Sequence, residues 1–152
     1  MTHAEKAGEL FRKGYNCSQS IFCAFCDVTG MDEKTALMLS SPFGGGMGRL
    51  RQACGACTGA FMVAGVLFGY SDTNDNIAKK ETYALVQDIA NRFKERNETI
   101  MCNELLKNLK PDTSPTPTPR SELYYKQRPC VRFVIDAADI LDDIIKERSA
   151  EK

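Results

Sequence analysis

The sequence has one histidine, no excess of charge of either sign and no run that alternates between polar and apolar residues. The single histidine, His3, lies at the start of the chain, so Ser-His-Asp or Cys-His catalysis and multi-histidine metal sites lack the residues they need. The 20 basic and 20 acidic residues balance to a formal charge of zero. With no basic patch, nucleic acid is not expected as a partner, and without period-two alternation no β-sheet is expected.

Targeting signals are also missing from the sequence. The segment from Met1 to Lys13 has neither the apolar stretch nor the small-residue cleavage site of a secretory signal, and we therefore expect a cytoplasmic protein. One uncharged stretch, Gln52 to Ser71, is long enough to cross a bilayer. Because it is rich in glycine and has no polybasic flank, it predicts a helix buried in a bundle, and no membrane insertion is expected.

Helix start and stop signals predict an all-α, single-domain bundle of about six to seven helices over residues 1–152. Thr2 with Glu5, and Asn16 with Gln19, have the spacing of capping boxes, and the second helix is expected to end at Gly30. Further helices are predicted to begin at Asp32, Cys54, Thr99 and Pro129 and to follow the amphipathic stretch from Ile77 to Phe93.

A glycine-rich loop, residues 43–52, precedes the predicted central buried helix. It contains Gly44, Gly45 and Gly46, a density that indicates a tight and unusual backbone path. The loop lacks the G-K-[ST] motif of a phosphate-binding P-loop. Two interpretations stay open: a turn that lets the next helix pack, or a set of backbone N–H donors around a thiolate or a cluster sulfur.

Two further segments border this loop or follow it. Arg49 and Arg51 are interpreted as solvated side chains, although either would add positive potential near Cys54. Residues 111–120 contain four prolines among threonines and serines, which predicts an extended, polyproline-like connection. Because regular structure resumes soon afterwards, we interpret this segment as a strap within one domain.

The cysteines form the most informative pattern. Seven is a high number for a cytoplasmic chain, and an odd number cannot all pair within one molecule, so thiol reactivity or metal ligation is favoured over a disulfide framework. Four fall in the first turns of four predicted helices, where unpaired N–H groups favour the thiolate and should lower the cysteine pKa. The alternative is that they only pack as small apolar side chains. The four are Cys17, Cys54, Cys102 and Cys130.

Two C-x-x-C pairs differ in their setting. Cys54 and Cys57 lie at a predicted helix start, where the first thiol can attack and the second can resolve the mixed disulfide. Because no strand precedes them, a thioredoxin-like fold does not follow. Cys23 and Cys26 lie within an apolar helix, where packing is the favoured role. The 27 residues between the pairs exceed the usual zinc-ribbon interval.

The ordered motifs point to a family. N-C-S-Q at 16–19, F-G-G-G at 43–46 and C-G-A-C-T-G-A at 54–60, followed by single cysteines at 102 and 130, resemble the C_GCAxxG_C_C family, which is named after its cysteines. The resemblance implies a small helical, redox-active protein with no settled substrate. Its four characteristic cysteines would be Cys17, Cys54, Cys102 and Cys130, whereas Cys57, Cys23 and Cys26 depart from the usual family pattern.

Three hypotheses remain open. In the first, two or more of the four cysteines carry out thiol/disulfide exchange or electron transfer, with Cys54 as the favoured nucleophile. In the second, the four thiolates ligate an iron-sulfur cluster or a zinc ion. In the third, the helices form an interaction module and the cysteines only pack. Whether the partner is a redox protein or a small molecule, and which oligomeric state forms, does not follow from the sequence.

Overall fold

The computed structural model describes residues 1–151, and within that range it contains nine α-helices and no β-strand. Six of the helices have eight residues or more, so the predicted all-α architecture is confirmed. The helices are α1 (His3–Arg12), α2 (Cys17–Ala24), α3 (Cys26–Thr29), α4 (Glu33–Ser40), α5 (Gly55–Phe68), α6 (Asn76–Asn97), α7 (Cys102–Leu105), α8 (Glu122–Gln127) and α9 (Cys130–Ala150).

The predicted helix starts depend on side-chain caps that the structure confirms. The Thr2 hydroxyl accepts from the Glu5 amide at 3.1 Å, and the Glu5 carboxylate accepts from the Thr2 amide at 3.0 Å. Asn16 and Gln19 exchange the same two bonds at the start of α2, at 2.9 and 3.1 Å. Each reciprocal box satisfies two backbone donors that would otherwise have no partner, which defines where the helix begins.

Three helix boundaries differ from the prediction. The second helix breaks at Phe25, whose fully buried ring is accommodated by a non-helical backbone, and α3 follows. The helix expected from Thr99 shrinks to the four residues of α7, because the Thr99 hydroxyl accepts from Met101 and forms a turn before the helix. Helix α8 was not predicted, although its Ser121 cap, which accepts from the amide of Tyr124, is a recognisable start signal.

Helices α2 and α5 approach each other unusually closely, as Gly55 and Gly59 allow. A Cβ on Gly59 would lie 2.9 Å from the carbonyl oxygen of Ser18, and one on Gly55 would lie 3.0 Å from the Cβ of Cys17. This crossing therefore brings the start of α2 beside the start of α5. Helix α1 packs on α9, and α6 packs against both α5 and α9.

Helix α5 is the central buried helix, but it is not buried on every side along its whole length. Seven of its first ten residues are buried, whereas Val66 is exposed. No helix among residues 1–151 combines the length and the apolar character needed to cross a bilayer. The stretch Gln52 to Ser71 thus forms a helix of the bundle, as expected.

Candidate functional site

A cavity of about 550 Å³ lies where helices α2, α5, α7 and α9 begin. All four cysteines that the sequence analysis placed at helix starts line it: Cys17, Cys54, Cys102 and Cys130. The four cysteines come from segments far apart along the chain, and the fold brings them to the wall of one cavity. A cavity of this size is typical of small-molecule sites.

Two backbone hydrogen bonds place Cys54 and Cys102 at the cavity. The Cys54 amide donates to the carbonyl of Ile100 at 2.7 Å, and the Cys102 amide donates to the carbonyl of Gln52 at 2.6 Å. These bonds flank a single antiparallel bridge between residues 53 and 101. The segments that lead into α5 and α7 are therefore held together before either helix begins.

The glycine-rich segment forms a left-handed turn at the edge of the cavity. Residues 45–49 all have positive φ angles, between +59° and +73°, a backbone conformation that is costly for residues with a Cβ. Gly44, Gly45 and Gly46 line the cavity. A Cβ on Gly46 would lie 2.7 Å from the Cβ of Cys102, so glycine at this position lets the turn pack directly against α7. Whether these glycines also bind a cofactor stays a prediction.

Cys17 and Cys130 line the same cavity, and each thiol affects the pKa of the other. Their hydrogen-bonding interaction is the largest cause that raises the pKa of Cys17, and burial adds to it. The same interaction lowers the pKa of Cys130 against the effect of burial, with help from the charges of Arg128, Arg120 and Arg51. The first proton therefore leaves Cys130, while Cys17 stays protonated.

Cys102 contacts a buried arginine. Nη1 of Arg51 lies 3.7 Å from the Cys102 sulfur, yet burial outweighs this contact and raises the pKa of Cys102. The expectation that every cysteine at a helix start has a lowered pKa is therefore wrong for Cys17 and Cys102. The reason is that burial and neighbouring thiols act more strongly than the helix dipole. The interpretation of Arg51 as solvated is also wrong, because only 6% of it is exposed.

The other cysteines lie away from the cavity wall. Cys57 is fully buried behind Cys54, and its interaction with the Cys54 thiol, together with burial, raises the pKa of Cys57. Cys23 is buried in the core, where burial raises its pKa to about 12. Cys26 is partly exposed at the break between α2 and α3. Neither C-x-x-C pair has both of its sulfurs on the cavity.

A family model described as "Putative redox-active protein (C_GCAxxG_C_C)" matches residues 15–144. The chain belongs to this family. The match includes the four cavity cysteines and the glycine-rich turn, so the resemblance drawn from the motifs is confirmed. No match was found to a curated protein or to a solved structure. The family description indicates redox activity and names no substrate.

Two arginines beside the family cysteines were missed in the sequence. Arg120 stacks on the rings of Phe11 and Tyr124, at 4.2 and 4.7 Å from their centroids, and donates to the Phe11 carbonyl at 2.8 Å. Arg128 lies 4.8 Å from the same Tyr124 ring. The signal that would have indicated them is the pair Tyr124 and Tyr125 with an arginine on either side of it, at 120 and 128, since arginine commonly stacks on aromatic rings.

The proline-rich strap closes one side of the cavity. Pro115, Pro117 and Thr118 line it. Arg49 donates to the carbonyl of Ser114 at 2.6 Å and to the Thr118 hydroxyl at 3.0 Å. The predicted strap of residues 111–120 has no regular secondary structure, and it is attached to the glycine-rich turn through this arginine.

The positions of the cavity cysteines decide which metal centre they could ligate. Over residues 1–151 no group of three or more histidine, cysteine, aspartate or glutamate side chains is spaced to hold one metal ion. A single tetrahedral zinc ion therefore does not fit the four family cysteines as they are placed. A cluster distributes its cysteine ligands over several iron atoms and accepts a wider spacing.

Proposed function

We propose that the protein is a thiol redox protein whose reactive centre is the pair of Cys17 and Cys130. The observation that supports this most directly is that Cys17 and Cys130 line one cavity at the starts of two helices, and the opposite shifts of their pKa values agree with it. Neighbouring sulfurs can form a disulfide with little backbone movement. Cys130 is the attacking thiol because its pKa is lowered, and this assigns to Cys130 the role that the sequence suggested for Cys54.

The exchange proceeds in two balanced steps. The Cys130 thiolate attacks one sulfur of an incoming disulfide, so that a mixed disulfide forms and the first substrate thiol leaves with a proton. Cys17 then loses its proton and attacks the sulfur of Cys130, which releases the second substrate thiol. Two electrons and two protons pass to the substrate, and the protein ends with a Cys17–Cys130 disulfide. A dithiol reductant runs the same steps in reverse.

Peptide mapping after oxidation tests the pair. Reduced protein is treated anaerobically, with a chelator present, with hydroxyethyl disulfide, and the disulfide-linked peptides are identified by mass spectrometry. We expect a Cys17–Cys130 link, and a loss of exchange rate of about 100-fold or more in Cys130→Ser. The matched control is Cys26→Ser, which removes a partly exposed thiol away from the cavity. An unchanged thiol count, or oxidation confined to Cys54 and Cys57, would overturn the proposal.

Cys54 and Cys102 also line the cavity, although the proposed pair does not use them, and they suggest a second candidate function. Cys17, Cys54, Cys102 and Cys130 together provide the four thiolates that an iron-sulfur cluster requires, and a bound cluster would supply one-electron transfer. Anaerobic purification followed by a visible spectrum and iron and sulfide analysis tests it. Cys57→Ser should keep the cluster, since Cys57 lies off the cavity wall. Colourless, iron-free protein would contradict the candidate.

A further inference from the structure

Apart from the cysteine thiols, the ionisable charged side chains that line the cavity are all basic. Four arginines line it, and no aspartate or glutamate does so within the described residues. One of the four, Arg49, forms an ion pair with Asp112 at 3.1 Å. For Arg51, Arg120 and Arg128, no ion pair is found with any carboxylate in residues 1–151.

Arg51 shows most clearly that a partner is missing. Only 6% of the surface of Arg51 is exposed. Nε donates to the carbonyl of Asp112 at 3.0 Å and Nη1 lies beside the sulfur of Cys102, but Nη2 is buried and has no hydrogen-bond partner among the described residues. Buried charged donors are costly unless an acceptor meets them. An anionic group in the cavity would provide that acceptor.

The rest of the wall limits what kind of anion fits. Phe11, Tyr124, Phe133 and Leu106 supply apolar surface, which favours a molecule with an apolar middle and charged ends. The strap closes one side and is held there by Arg49, so a small molecule fits better than the surface of a folded protein.

From this geometry we propose that the cavity binds a low-molecular-mass disulfide that carries carboxylate groups. A carboxylate accepts from Arg51 and is attracted by Arg128 and Arg120, while the disulfide reaches the sulfur of Cys130. This proposal rests on the proposed function for the chemical step, which is the same exchange with Cys130 and Cys17. It adds the class of substrate and the residues that recognise its charge.

Three disulfides of similar length and different charge test the recognition. They are dithiodipropionate, a dianion; hydroxyethyl disulfide, which is neutral; and cystamine, a dication. Each rate is divided by the rate with N-acetylcysteinamide, an uncharged free thiol, because the leaving group also affects exchange. At low ionic strength we expect the normalised rate to be about tenfold higher, or more, for the dianion than for the dication. Equal normalised rates would overturn the proposal.

Substitutions of single arginines show which residues cause the preference for the dianionic disulfide. Arg51→Gln and Arg128→Gln should each reduce the preference for the dianion, whereas Arg51→Lys should keep part of it because the charge remains. The control is Arg96→Gln, which removes the same charge from an ion pair on α6 and should leave the preference unchanged. Circular dichroism checks folding; if Arg51→Gln does not fold, Arg128→Gln decides the result. An unchanged preference in every folded cavity variant would contradict the proposal.

A binding measurement separates this proposal from the redox function. Suberate has the carboxylate spacing of dithiodipropionate but no sulfur, so calorimetry with suberate reports recognition alone. Binding that weakens in Arg51→Gln or Arg128→Gln supports the anion site even if no thiol exchange occurs, in which case the proposed function is wrong. Equal exchange with all three disulfides and no suberate binding would leave the redox function and overturn the anion site.

Discussion

Arginines at two places in the molecule have opposite surroundings. On the face formed by α6 and α9, Arg92 bonds to Asp88 at 3.0 Å and to Glu147 at 2.8 Å, and Arg96 pairs with Asp136. Around the cavity, the guanidinium of Arg51 is more deeply buried and is in contact with a sulfur and a carbonyl oxygen but with no carboxylate of the described chain. The two regions differ in whether the chain itself supplies the opposite charge.

This difference indicates where a ligand is needed. The pairs on the α6 and α9 face are partly exposed, and such pairs contribute little to stability and need nothing further. In the cavity, positive charge, a buried unpartnered donor and four thiols converge without a compensating acid. The arginines on the α6 and α9 face have carboxylate partners, whereas Arg51 at the cavity has none among residues 1–151. This difference indicates function more strongly than the overall charge, which is zero.

The largest contrast is expected between two glycines, one in the turn at the cavity and one in helix α5. Gly46→Ala places a Cβ 2.7 Å from Cys102 at a φ of +73°, and should destabilise the protein by about 2–4 kcal/mol. Gly65→Ala, within α5 and with nothing within 4 Å of its Cβ, should stabilise it by up to about 1 kcal/mol. Urea unfolding measures both. Similar effects of the two substitutions would mean that the cavity turn is not strictly packed.

A second contrast concerns pH. Burial raises the pKa of Cys23 to about 12, whereas an unfolded thiol ionises near about 8.5. The contribution of this thiol to stability is therefore fully present below a pH of about 8.5. It decreases by about 1.4 kcal/mol per pH unit as the pH rises from there to about 12. The raised pKa values of Cys17, Cys57 and Cys102 act in the same direction.

Carboxylates on the other face should respond at the opposite end of the pH scale. The bond from Arg92 lowers the pKa of Glu147, so its contribution is present above the pKa of the unfolded carboxyl and is lost as the pH falls. Denaturant midpoints between about pH 2 and about pH 11, which cover the acid window and most of the alkaline one, measure the two effects. Cys23→Ala should flatten the alkaline slope and leave the acid side alone; an unchanged alkaline slope would contradict the assignment.

The smallest effect is expected for the paired arginine. Arg92→Gln breaks two ion pairs whose carboxylates are substantially exposed, and should cost less than about 1 kcal/mol. It should also leave the rate of disulfide exchange unchanged. A loss well above that limit in chemical unfolding would mean that the α6 and α9 face depends on its charges, and the contrast with the cavity would weaken.

The parts of the fold that sequence predicted well depend on neighbours along the chain. The capping boxes at Thr2 and Asn16 were correct because their four residues contact one another directly. The break at Phe25 was missed because the ring is buried in a core that includes residues from distant segments. The later start of α7 was missed although the contact between Thr99 and Met101 is local. The start of α8 at Ser121 was missed although its signal is local.

The features of the candidate site also fall into those that neighbouring residues encode and those that depend on distant ones. The sequence by itself determined which cysteines lie at helix starts and to which family the chain belongs, since spacing and motif order carry that information. Only the tertiary structure decided that Cys17 and Cys130 line one cavity, that Cys57 is buried off its wall and that Arg51 is buried with no ion pair among the described residues. Burial and the approach of groups more than a hundred residues apart set the charge and the pKa of each thiol, and no local pattern encodes them.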